Sequence, residues 1–102
     1  MYVYCIQIKD FDLFKVGYSN NVKKRLVALQ TAIPFDLEII SLIRCQDSNN
    51  ARRIEDIIHK YIAEYHYRGE WFKMPKEKIL YVFKKHNPNY PTENMSRLSN
   101  AL

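Results

Sequence analysis

Apolar positions fall into three short runs of strand character and three longer runs of helical character. "YVYCIQIK", Tyr2 to Lys9, is rich in β-branched and aromatic residues, and its first half is apolar at successive positions, which predicts a central strand covered on both faces. "DFD" makes a polar turn, and "LFKVGYS", Leu13 to Ser19, returns as the second strand of a hairpin. Ser19 or Asn20 can cap a following helix, in which Val22, Leu26, Leu29 and the alanines Ala28 and Ala32 recur at helical spacing until Pro34 closes it. "LEIISLIRC", Leu37 to Cys45, reads as a third strand, and "QDSNN" offers Asp47, Ser48 or Asn49 as the next cap. A second helix is expected from about Asn50 to Tyr65, with Ile54, Ile57, Ile58, Tyr61 and Ile62 facing inward. Gly69 ends that segment, "EWFKM" is a short extended piece, and Pro75 opens a third helix to about Lys85.

The expected order is ββαβαα, an α+β fold with a small three-stranded antiparallel sheet flanked by helices. Residues 1–86 form a single domain in this reading. The stretch "NPNYPTENMSRLSNAL", 87–102, has two prolines and many polar residues, which predicts an irregular or partly disordered tail. No internal repeat is visible, and strand order is left open by the pattern.

Composition narrows the classes. With 102 residues and 47% hydrophobic content the chain can bury one core but not two. Sixteen Lys plus Arg against 11 Asp plus Glu give a net charge of +5, which favours a polyanionic partner over a cationic one. Cys5 and Cys45 sit in apolar strands with no CxxC spacing, so a zinc site and a disulfide framework are disfavoured. No apolar run approaches the ~18 residues of a membrane span and no signal-peptide pattern opens the chain, so a reducing, cytoplasmic setting is expected.

One set of residues carries a resemblance: "YVY" at Tyr2 to Tyr4, "KVG" at Lys15 to Gly17, "KKRL" with Arg25 on the first helix, and "ARRIEDII" with Glu55 on the second. In order and spacing the chain resembles the GIY-YIG nuclease superfamily, and its "FKVGYS…RL…E…H…GEWF" form is similar to the T5orf172 or Mug113-like branch of small phage and bacterial proteins. The resemblance implies DNA phosphodiester hydrolysis with one divalent metal, Mg²⁺ or Mn²⁺. It assigns Tyr4 as, or assisting, the general base, Arg25 to the phosphate and Glu55 to the metal. A phosphodiester needs an activated water, neutralised non-bridging oxygens and a stabilised leaving oxygen, so this division of labour is chemically sensible. A tyrosine of pKa about 10 is a poor base, and Lys15 is the candidate cation to bring Tyr4 down. Lys15 stands where the family pattern has a second tyrosine, Tyr2 where it has a glycine, and Glu70 and Trp71 where many members carry an asparagine.

Each of these residues also has a plain structural reading. Tyr4 could be a core aromatic, Gly17 a bulge or a close approach of backbone or ligand, and Arg25 a solvated helix position. Glu55 could pair with His59 or Arg52 on its own helix. His59 is the less certain catalytic candidate, since a half-buried helix histidine is commonly a hydrogen-bonding prop. Trp71 and Phe72 are expected to pin the core. Gly17, Tyr18 and Ser19 follow one another at the strand end and, with Lys23, Lys24, Arg52 and Arg53, are candidates for contacting DNA phosphates.

The leading expectation is a metal-dependent DNA endonuclease. Low intrinsic sequence specificity follows from its size unless a homodimer or a guiding partner adds surface. The alternative is a catalytically weak or inactive nucleic-acid-binding module of the same fold, motivated by Lys15 and the missing asparagine. A protein-interaction domain is a third and weaker reading.

Overall fold

The computed structural model describes residues 1–86 as β1 (Tyr2–Ile8), β2 (Leu13–Ser19), α1 (Val22–Ala32), β3 (Leu37–Arg44), α2 (Ser48–Tyr61), a 3-10 turn (Ala63–Tyr65), β4 (His66–Arg68), β5 (Trp71–Lys73) and α3 (Lys76–His86). The tail expected to be irregular, 87–102, lies outside the described residues. The fold is α+β with an antiparallel sheet in the order β3-β1-β2-β5-β4. Five strands replace the three expected. The two additions are only three residues long, too short for a legible alternation, and Gly69, with φ 55°, turns the chain between them.

β1 is paired on both edges, and its side chains alternate between two cores. Val3 and Cys5 join Phe14, Val16, Ile43, Ala51, Ile58, Phe72, Ile79 and Phe83 under α2 and α3. Tyr4 and Ile6 join Val22 and Leu42, with Leu26 and Leu29 of α1 covering them from the other side. Double coverage explains why the first half of β1 is apolar at every position. In β3 the pairing with β1 slips between Cys5 and Ile6, so Ile40 is an extra residue. That bulge lets Ile40 and Ile43, three residues apart, both reach the core under α2 and α3.

Several local expectations change. Asn21 rather than Ser19 or Asn20 caps α1, accepting from Lys24 N at 3.0 Å, while Ser19 Oγ accepts from Asn21 N. Asp47 caps α2, which ends at Tyr61 and tightens into the 3-10 turn before Tyr65. Ala28 and Ala32 are exposed, as are Ile57 and Tyr61, because each helix lies on the sheet along a narrower stripe than its apolar periodicity implies. On α2 that stripe is Ala51, Glu55 and Ile58. Phe72 is core, whereas Trp71 is only half-buried and lines a shallow apolar hollow with Ile8, Leu13 and Ile33. Both cysteines are free and buried, and no helix among the described residues is long and apolar enough to cross a membrane.

Gly17 sits directly opposite Tyr4 in the β1–β2 ladder, where the register runs unbroken. It marks no bulge between these strands. A Cβ at Gly17 would lie against the Tyr4 hydroxyl oxygen, 2.7 Å from ring Cζ and 3.2 Å from Glu70 Oε1. The missing side chain is therefore filled by the Tyr4 ring and not by substrate. Gly17→Ala should destabilise the fold by about 1–3 kcal/mol through overpacking, and Tyr4→Phe in the Gly17→Ala background should recover part of that loss. Urea denaturation of the two single variants and the double variant checks both statements.

Candidate active site

β5 follows β2 only from Leu13 to Lys15, after which Val16 N donates to Glu70 O at 3.1 Å. Beyond that point no described strand pairs the outer edge of β2. An open cavity of about 300 Å³ lies there, lined by Tyr4, Lys15, Tyr18, Arg25, Glu55 and Glu70. Tyr4 and Lys15 come from adjacent strands, Arg25 from the first turns of α1, Glu55 from α2 in the opposite layer, and Glu70 from the β4–β5 turn. Tyr4, Lys15, Arg25 and Glu55 thus converge, although they arise from four elements and both faces of the sheet.

Lys15 Nζ donates to Glu70 Oε1 at 2.7 Å and lies 6.0 Å from the centroid of the Trp71 ring. The expected role of Lys15 as the cation that tunes Tyr4 is corrected by this pairing. Arg25 is the cation that draws the Tyr4 phenol down, and it is outweighed. Burial, Glu70 and Glu55 together push Tyr4 up to about 12, so in the absence of added positive charge it keeps its proton at neutral pH. Glu55 is 9% exposed, accepts no hydrogen bond from any described residue and faces the cavity. Burial first, and then Glu70, raise its pKa, with His59 and Lys15 opposing.

His59 does not line the cavity. Its Nε2 lies 2.8 Å from Val16 O, and since a carbonyl only accepts, Nε2 carries the proton. The ring also meets Phe72 edge-on at 5.0 Å. Both polar backbone groups of Val16 are thus used on the outer edge of β2, one by Glu70 and one by His59, so His59 stands in for the strand that has stopped. This is the hydrogen-bonding prop weighed above.

Of the residues expected to contact DNA, Tyr18 lines the cavity and Gly17 forms the floor beneath Tyr4. Ser19 and Lys24 line a second hollow of about 220 Å³, which shares Arg25 with the first and adds Asn20, Asn21 and Ala28. Lys23, Arg52 and Arg53 are exposed on their helices and line neither hollow. Glu70 was the residue least visible as a site group. Its only signal was the "GEWF" run, since the contact with Lys15 spans 55 positions.

Among the described residues, no group of three or more His, Cys, Asp or Glu side chains could hold a metal ion. Mg²⁺ and Mn²⁺ do not require one, because one or two carboxylates with water and substrate oxygens complete their shells. The carboxylate of Glu55, hydrogen-bonded to no described residue, and the oxygens of Glu70 and Tyr4 in the same cavity fit such an ion.

The class of protein defined by fold and cavity is a small antiparallel α+β domain with two tyrosines, two cations and two carboxylates around one edge cavity. The chain belongs to the T5orf172 domain family, whose model matches residues 1–87, a family associated with a GIY-YIG-like nuclease-type fold. No curated protein and no solved structure matches the chain.

Two outcomes follow for stability. Because burial and Glu70 raise the pKa of Glu55, the folded chain holds that proton more tightly than the unfolded chain does. The ionised form therefore costs stability as pH rises above the ordinary Glu value of 4.5. Glu55→Gln should stabilise the chain at pH 7, a gain that vanishes below that value, as urea melts at the two pH values will show. His59→Ala leaves the Val16 carbonyl without its donor and should cost about 1–3 kcal/mol by the same measurement.

Proposed function

We propose that the chain is a metal-dependent DNA endonuclease that hydrolyses phosphodiester bonds at the cavity beside β2. The observation that carries this reading is the convergence of Tyr4, Lys15, Arg25 and Glu55 on one cavity in a domain of this family. Arg25 is shared with the neighbouring hollow that holds Lys24, so one guanidinium can bridge a phosphate at the reacting centre and the next phosphate along the strand. Lys23 and Lys24 add sequence-independent attraction on the same helix, and Arg52 and Arg53 add it from α2.

In the reaction a water oxygen forms the new bond to phosphorus, the bond to the leaving sugar oxygen breaks, and that oxygen takes up a proton. Arg25 neutralises the non-bridging oxygens, and Glu55 would hold the metal. Tyr4 orients the attacking water through its hydroxyl and accepts the water's proton once its own has been lost. A divalent ion bound at Glu55 would supply water activation, further neutralisation of the phosphate and the positive charge that draws Tyr4 down from about 12. Lys15 contributes a second cation for the leaving oxygen after it separates from Glu70.

The pairing of Lys15 with Glu70 and the protonated state of Tyr4 favour one competing reading, a module that binds nucleic acid without cutting it. Incubating supercoiled plasmid with the chain and Mg²⁺ or Mn²⁺ separates the two. Nicking should fall by about 10²-fold or more in Glu55→Ala and in Arg25→Ala. Nicking that survives both substitutions sinks the nuclease reading. Salt-sensitive binding with no nicking by the wild-type chain selects the binding module.

A further inference from the structure

Glu70 is the carboxylate to which the other groups of the cavity respond. Its Oε1 accepts from Lys15, and it lies beside the same point above Gly17 that the Tyr4 hydroxyl occupies. Glu55, hydrogen-bonded to no described residue, lines the same cavity as Glu70 with its carboxylate open to solvent there. Two carboxylates that line one cavity, one of them already holding an ammonium group, make a place for a cation. In the chain by itself that cation is an ammonium group. Lys15 is a compact charge on a four-carbon stem, able to swing, and its side chain is 13% exposed, while that of Glu70 is 42% exposed and has room to turn toward Glu55.

We propose that Glu70 is the second carboxylate of the cation site and that the Lys15 ammonium takes the place of a divalent ion there, leaving Glu70 when the ion binds. The exchange brings two positive charges to Glu70 in place of one, and it frees Lys15 only when the ion is present. The inference rests on the reading of Glu55 as the metal-holding carboxylate. It adds that a hard divalent ion takes both carboxylates, with water and phosphate oxygens completing the shell.

The chain supplies its own reporter. Trp71 is its one tryptophan and lies next to Glu70, with Lys15 Nζ 6.0 Å from the ring centroid. MnCl₂ is titrated into the full chain without DNA, following Trp71 emission and the electron paramagnetic resonance of free Mn²⁺, with circular dichroism confirming that each variant is folded. Glu70→Gln should weaken Mn²⁺ binding by about tenfold or more. Lys15→Met should tighten it by about three- to tenfold, and this gain should disappear in the Glu70→Gln background. Wild-type affinity in Glu70→Gln, with binding lost in Glu55→Gln, overturns the inference and leaves the role of Glu55 standing. Equal tightening by Lys15→Met in both backgrounds also overturns it, because the lysine would then act only as a distant charge. Wild-type affinity in Glu55→Gln, or no Mn²⁺ binding by the wild-type chain, removes the metal role of Glu55 and this inference together.

Discussion

The ring of Tyr4 lies across Gly17 on the neighbouring strand, and most of the site is arranged around that contact. Tyr4 is 2% exposed and packs with Ile6, Val22 and Leu42, so its ring belongs to the core beneath α1. Its hydroxyl nevertheless reaches the cavity, because Gly17 offers no Cβ to stop it. The core reading and the site reading of Tyr4 are two ends of one side chain. Burial fixes the direction of the phenol, and the same burial keeps it protonated until positive charge arrives.

A second constraint is where β5 stops. Had the pairing of β2 with β5 continued past Lys15, a strand would cover the edge on which Glu55 and Arg25 meet. Instead the ladder ends with Val16, whose N–H is taken by Glu70 and whose carbonyl is taken by His59. The edge is satisfied at the price of one histidine, and the notch left beyond it lets α2, from one layer, and α1, from the other, present side chains to the same space. A cavity between the two layers of so small a domain exists because the sheet is cut short.

The longer elements were legible in the sequence: β1 through its apolar run, β2 as the return strand of its hairpin, β3 as an apolar run after Pro34, and the three helices through their spacing and flanking turns. β4 was not, and β5 was visible only as the short extended piece "EWFKM", because three residues carry no period and their stability comes from pairing with distant chain. Exposure within helices was also misjudged. Ile57 and Tyr61 fit an apolar stripe by spacing, but the buried stripe of α2 runs through Ala51, Glu55 and Ile58, with a carboxylate in its middle. In the site, Tyr4, Arg25 and Glu55 could be matched to a pattern, whereas the partner of Lys15 could not. An ion pair across 55 positions is set by the fold and leaves no local trace.

Charge is distributed in a way that separates attraction from chemistry. The chain carries +5, yet the four charged heads lining the cavity are Lys15 and Arg25 against Glu55 and Glu70, two of each sign. A balanced cavity exerts little pull on a polyanion at a distance, so on the proposed reading the surplus that would draw nucleic acid lies outside it, with Lys23 and Lys24 just before Arg25 on α1. The carboxylates would oppose entry of a phosphate if they stood alone, and Lys15 is close enough to one of them to blunt that opposition. The phosphate backbone can therefore be gathered by the helix surface first and admitted to the cavity second. Admission then depends on what neutralises Glu55, the one carboxylate of the pair with no cation bonded to it.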